Sequence, residues 1–346
     1  MPAAIPPSHF PRAECTNRTV RKLALQALGL FCYNTPMAHC IVPEAEAILD
    51  KEFPVLDKGF VRLVDYLGGD QRIVQAARVS YGEGTKSYRE DAALIDYLLR
   101  HEHTSPFEQV VLTFHIKLPI FVARQWIRHR TARVNEISGR YSIMKDEFFL
   151  PEPEALAPQS EDNKQGRADI PFDPETADRI RAILKEGAEL SYQQYQRLLD
   201  LGLAREIARI ALPLSLYTEW YWQIDLHNLF RFLMLRLDSH AQREIRQYAE
   251  VILNITRKVA PAATASFEKH ILHGVRFSGP EMDELRRRLG LDQRNRADSA
   301  ESAPGTNQPP QFSEPAANQP SSSSVSILSK KELERFEEKL KSSRQL

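Results

Sequence analysis

The chain has 346 residues, enough for one large domain or two ordinary ones at roughly 150 residues per domain. Its 46 basic and 46 acidic side chains cancel, which excludes a whole-protein field that would draw in nucleic acid or an anionic membrane, so any cationic site is local. All three cysteines (Cys15, Cys32, Cys40) fall in the first 40 residues, which excludes a disulfide-stapled fold and leaves everything downstream to work without a thiol.

Residues 1–51 carry early prolines and no clear periodicity, and read as a loosely ordered N-terminal extension. Within them LALQALGLFCY has the length of a signal-peptide core, but Gln26 interrupts it and no clear small-residue cleavage site follows. No apolar stretch approaches the roughly 20 residues that span a bilayer, so a cytoplasmic protein without a membrane partner is expected.

The folded unit is expected over 52–278. Apolar spacing predicts helices over 59–77 and 89–101, the second ending near HEHTSP. In VLTFHIKL, Leu112, Phe114, Ile116 and Leu118 alternate with Thr113, His115 and Lys117, the period of a strand with one buried face. Pro119 then suits the start of a helix running through IFVARQWIRHR, and 131–142 reads as a loop leaving it. A long amphipathic helix is predicted over 175–201, closed by Gly202, and a shorter one over 204–212, stopped at Pro213. LYTEWYWQI is strand-like, a helix begins near Asp225, and Ser239 with Gln242 could form a capping box for the next. A linker poor in large apolar residues is expected over 279–328, and 329–346 places Leu333, Phe336 and Leu340 at helical spacing in a short charged tail.

The chemistry concentrates in RQWIRHRTARVNEISGRYS. Arg124, Arg128, Arg130, Arg133, Arg140 and His129 fall within 17 positions, with Glu136 the one acid among them. Guanidinium forks match phosphate, so a small phosphorylated ligand is expected there. Consecutive Arg128, His129 and Arg130 would fan across a helix and grip different parts of a large anion or neighbouring ligands. The plain alternative is a solvated basic face, disfavoured by Trp126 and Ile127 between the charges. A second cluster holds Arg236 and His240, which would share a helical face if that helix were continuous; Arg236 with Asp238 could instead be a structural ion pair. His101 and His103 alone are too few ligands for a metal, and none is expected. No Gly-rich nucleotide loop, HExxH or GxSxG stands where each would need to be.

An RHR triplet, seven residues and a Ser, over 128–138, resembles the signature of the flavin-dependent thymidylate synthases. FVARQWIRHR, NEISGRYS, ARIALPL and LRLDSHAQREI extend the likeness in the family's order over roughly 54–275, leaving both ends unexplained. The resemblance implies an α/β (α+β) fold, a mixed sheet surrounded by helices, assembled as a homotetramer whose chains share active sites. It implies conversion of dUMP to dTMP with FAD as hydride carrier, and NADPH and methylenetetrahydrofolate as co-substrates. The absence of cysteine from 52–278 fits a route without a cysteine nucleophile.

Carried over by position, the family pattern sets Ser105, Arg128, His129, Arg130, Glu136, Asp225, His227, Arg231 and His240 against FAD. For dUMP it implies Gln125, Trp126, Ile127, Arg128, Glu136, Ile137, Ser138, Gly139, Arg140, Arg209 and Arg236, with Arg140 on the phosphate. Arg236 would favour an ionised pyrimidine N3 and is the catalytic candidate; His103 lies near the flavin without an assigned role. Arg133, Asp225, His227 and Arg231 depart from the usual residues, which bears on the adenosine contacts more than on the chemistry. Two readings of other classes compete: a single-stranded nucleic-acid module using the arginines and aromatics, and an inactive structural homologue that has lost its flavin.

Overall fold

The computed structural model describes residues 40–79, 88–161, 164–289, 328 and 330–342. A one-turn helix at Pro43–Glu46 leads into a hairpin of β1 (Glu52–Val55) and β2 (Gly59–Leu67), followed by α1 (Asp70–Ala77) and α2 (Tyr88–Arg100). Next come β3 (Val111–Pro119), α3 (Ile120–Trp126), β4 (Arg133–Glu136), the 27-residue α4 (Pro174–Asp200) and β5 (Tyr217–Asp225). The series ends with α5 (Leu226–Arg236), α6 (Arg243–Val259), α7 (Pro261–Phe267), α8 (Gly279–Arg288) and α9 (Lys330–Ser342).

The five strands form one sheet in the order β1-β2-β3-β5-β4, and every pairing is antiparallel, so the expected mixed sheet is corrected to an antiparallel one. Phe114 and Ile116 of β3 point into the core as their alternation predicts, and helix α6, packed on β1 and β2, adds Ile245, Tyr248, Ile252 and Val259 to the same core at helical spacing. A smaller cluster gathers Met144, Phe148 and Leu216 around Tyr195 of α4.

Several expectations are overturned for local reasons. Residues 59–67 are strand rather than helix: a β-bulge between Leu63 and Asp65 moves the buried set from Val61 and Leu63 to Tyr66. That one-residue shift produces three-residue apolar spacing that imitates a helix. The helix expected through RHR stops at Trp126, so Arg128, His129 and Arg130 lie in the turn beyond it, and the predicted loop contains β4. The Ser239–Gln242 capping box does not form: Gln242 occupies the position before α6 without a side-chain cap, and Ser239 Oγ lies beside His240 Nδ1.

Both ends hold more structure than the sequence suggests. Ala45 and Ile48, within the expected loose extension, are buried in the main core, and Tyr66 anchors them through Glu46 at 2.8 Å. Residues 279–288 of the expected linker form α8, because Ser278 and Glu281 make a reciprocal capping box at its start. The signal-like run lies outside the described residues.

Candidate functional site

The C-terminal ends of α3 and α5 meet through aromatic packing. Trp126 stacks on Phe232 at 4.7 Å between ring centroids and stands edge-on to Trp222 of β5 at 5.1 Å. Its indole is buried in the core, which leaves its main chain to meet the nucleotide expected there. The wedge holds both helix ends in place. Beyond α3 the chain doubles back, setting the His129 ring against Phe232 at 4.9 Å.

Arg236, at the end of α5, donates from Nε to His129 Nε2 at 2.9 Å and from Nη2 to the Gln125 main-chain oxygen at 3.4 Å. The last carbonyls of a helix lack intrahelical partners and carry partial negative charge, so a guanidinium is a suitable cap for α3. Nη1 makes no hydrogen bond to a described residue. Burial first, then the cations Arg236 and Arg231, push the His129 pKa down to about 4, which keeps the ring neutral and able to accept. The Gln125 side-chain amide donates to the Gln242 side-chain oxygen, across 117 positions of sequence.

A second group hangs from the β4–β5 edge. Glu136 pairs in register with Trp220, which stands edge-on to Trp126, and its carboxylate accepts from the Thr218 hydroxyl at 2.7 Å. Ile137 N donates to Glu219 O, and Ser138 then turns the chain, its oxygens accepting from the amides of Arg140, Tyr141 and Ser142. At Gly139 a Cβ would sit 3.2 Å from both Arg209 Cδ and Met144 Sδ, a tight contact to which these side chains would have to yield by a few tenths of an ångström. Arg140 Nε pairs with Glu206 at 3.1 Å, and Arg209 Nε bonds the Glu206 main-chain oxygen at 3.3 Å. With Arg140 57% and Glu206 49% exposed, this ion pair is worth about 0–1 kcal/mol, weak enough for a phosphate to displace.

The remaining candidates are spread more widely. Ser105 and His103 are exposed beside the short turn Ser105–Gln109, with His103 edge-on to Tyr97. Asp225 caps α5 through Asn228 N at 2.9 Å and also accepts from the Asn228 amide at 2.7 Å. His227 is half-buried, and Arg231 and Ile127 are exposed. Because α5 ends at Arg236, His240 does not share its face; Asp238, weighed as Arg236's partner, instead pairs with His240 at 2.9 Å. Arg133 reaches Gln223 on β5 at 3.3 Å. Glu206 escapes sequence reasoning, since an acid in REIA carries no motif, and Gln242 enters it only as a capping residue, not as the partner of Gln125.

Among the described residues none forms a hydrogen bond or ion pair with the side chains of Arg124, Arg128, Arg130 or Arg231. These unpaired guanidinium groups fit the phosphates of a dinucleotide cofactor, which need charged donors and no metal. No cluster of three or more His, Cys, Asp or Glu among the described residues could hold a metal ion, and no helix among them is long and apolar enough to cross a membrane.

Residues 62–262 match the family described as thymidylate synthase complementing protein, and residues 275–346 match the thymidylate synthase ThyX C-terminal domain. The tail that the resemblance leaves aside is therefore itself a recognised segment. The chain is 61% identical over 264 residues to the flavin-dependent thymidylate synthase of Treponema pallidum (strain Nichols), covering 76% of this chain and 87% of that protein. It is 58% identical over 299 residues to the protein of the same name in Treponema denticola, covering 86% of this chain and all of that one. Among solved structures, a UMP/dUMP methylase PolB from Streptomyces cacaoi bound with 5-Br dUMP superimposes with a TM-score of 0.59 at 33% identity, covering 64% of this chain and 99% of that one.

Proposed function

From the premise that this chain belongs to the flavin-dependent thymidylate synthase family, we propose that it converts dUMP to dTMP at a site built on the junction of α3, α5 and β4. When bound, FAD supplies the hydride chemistry, with NADPH as its reductant and methylenetetrahydrofolate as the one-carbon donor.

Arg236 is the catalytic residue. Its guanidinium is held along one edge by His129 and the Gln125 carbonyl, and Nη1 remains to face a pyrimidine. A fixed cation there would stabilise negative charge at N3 and O4 of the uracil, raising electron density at C5 without a covalent bond to the protein. Cys40, the one cysteine among the described residues, is no alternative nucleophile, since it is buried and burial raises its thiol pKa.

Ser138, Gly139, Arg140 and Arg209 would hold the nucleotide phosphate, with Glu206 giving up Arg140 as the phosphate arrives. Gln125, Arg128, Glu136 and Ile137 would border the base and sugar. Arg128, Arg130 and Arg231, together with Ser105, His129, His227 and His240, would meet FAD. Asp225 can contribute only what its cap of α5 leaves over. Guanidinium groups left unpaired within one protomer also support a homotetramer in which neighbouring chains complete each site.

The observation that carries this reading is the Arg236 guanidinium locked by a neutral histidine beside unpaired arginines. The test is the absorbance spectrum of the purified protein, followed by assay for dTMP with dUMP, NADPH and methylenetetrahydrofolate. A flavin band with dTMP formed is the expected result; a protein that takes up no FAD overturns the assignment.

A further inference from the structure

Gln242 stands directly before α6, where Ser, Thr, Asp or Asn would cap the helix and contribute about 1 kcal/mol. It makes no side-chain cap. Its side-chain oxygen instead accepts from the Gln125 amide, reaching from the start of α6 to the last turn of α3. Both glutamines are half-buried, so this polar pair is partly withdrawn from water and an unmatched member would be penalised.

Three helices thus meet through side-chain chemistry at one point. The Gln125 amide is fixed by Gln242, its main-chain oxygen takes Arg236 Nη2, and Arg236 Nε is fixed by His129. Taking as its basis the reading that Gln125 and Arg236 bind dUMP, we propose that Gln242 is a positioning residue for the pyrimidine site: by accepting from Nε2 it sets the direction in which Gln125 presents its side-chain oxygen to the nucleotide. An amide can be rotated by half a turn, exchanging donor for acceptor, and Gln125 alone has no means of choosing. With Nε2 held by Gln242, Oε1 is the end left to receive a donor such as a sugar hydroxyl of the nucleotide.

The role predicts a particular pattern of substitution. Gln242→Leu removes the acceptor, whereas Gln242→Glu keeps an oxygen acceptor in the same place. The expected results are a KM for dUMP raised about tenfold in Gln242→Leu, with kcat reduced less and the flavin spectrum unchanged, and a KM within about threefold of the parent in Gln242→Glu. In the Gln125→Leu background, Gln242→Leu should add almost nothing, because the two act through one contact. Additive losses in that double variant, an unchanged KM in Gln242→Leu, or failure of Gln242→Glu to restore it would overturn the role. If Gln242→Leu does not fold, Gln242→Met, of the same length and without an oxygen acceptor, carries the same comparison. Failure of the underlying reading shows itself separately, as Gln125→Leu leaving dUMP binding unchanged.

Discussion

Arg236 Nε and His129 Nε2, 107 positions apart in sequence, lie 2.9 Å apart with the arginine donating. An imidazolium has no lone pair to accept that bond, so the contact exists only while His129 is neutral. The surroundings enforce the condition, because burial first, then Arg236 and Arg231, hold the His129 pKa at about 4, below its ordinary 6.5.

The pH dependence follows from that direction. A group whose folded pKa is depressed contributes fully above its unfolded value and loses its contribution as pH falls through the folded one. The arrangement around Arg236 is therefore expected intact above about pH 6.5 and lost as pH falls through 4. NMR titration of the His129 ring should give a midpoint near 4 in the parent and a higher one in Arg236→Ala, which removes the second of its three causes. A midpoint unmoved by that substitution would leave burial and Arg231 as the causes.

Arg236→Ala is expected to keep bound FAD and lower dTMP formation by about 100- to 1,000-fold, the usual loss when one preorganised charge stabiliser is removed. Flavin absorbance measured beside turnover separates the two effects. Retained turnover would remove Arg236 from its catalytic role.

Arg140→Ala should weaken dUMP binding by about 10- to 100-fold, the range for losing a charge-assisted bond to phosphate, with little effect on flavin content. Calorimetric titration with dUMP and with deoxyuridine checks the cause. The substitution should matter for the nucleotide and not for the nucleoside, since Arg140 is assigned to the phosphate.

The anion-binding candidates between Arg124 and Arg140 are legible because they are arginines packed into a short span, and a charge pattern survives any error about the backbone carrying it, whereas Arg236 is singled out through the family resemblance of LRLDSH. The backbone itself was misread where one extra residue changed the period. The bulge after Leu63 makes a strand look helical, and a helix that stops at Trp126 converts an expected helical fan of Arg128, His129 and Arg130 into a turn. The family pattern places Trp126 at the ligand without saying which of its atoms serve, and the structure sends its indole into the core because one face of α3 packs there. Gln242 and Glu206 acquire a role only when distant helices are brought together, and no local spacing encodes that.

The C-terminal helix offers the last test. Phe336 is fully buried, its ring 5.8 Å from Phe277 with the Arg288 guanidinium 5.0 Å above it. Lys339 Nζ reaches both Glu281 oxygens at 2.7 Å and, with the bonds from Ser278, pulls the Glu281 pKa down to about 2. A helix of 13 residues is marginal alone, so docking is what keeps α9 folded. Phe336→Ala removes a buried aromatic side chain, a loss of about 3–5 kcal/mol, and should release the helix. Hydrogen exchange at the amides of 330–342 should rise to the rate of an unstructured peptide in that variant. In the parent the Lys339–Glu281 bond should hold above about pH 4.5 and fail as pH falls towards 2, because protonation of a depressed carboxylate removes its contribution. Deleting 292–346 should leave dTMP formation intact, since no residue of that segment is assigned to the site; loss of the proposed homotetramer on deletion would instead make the tail part of the assembly.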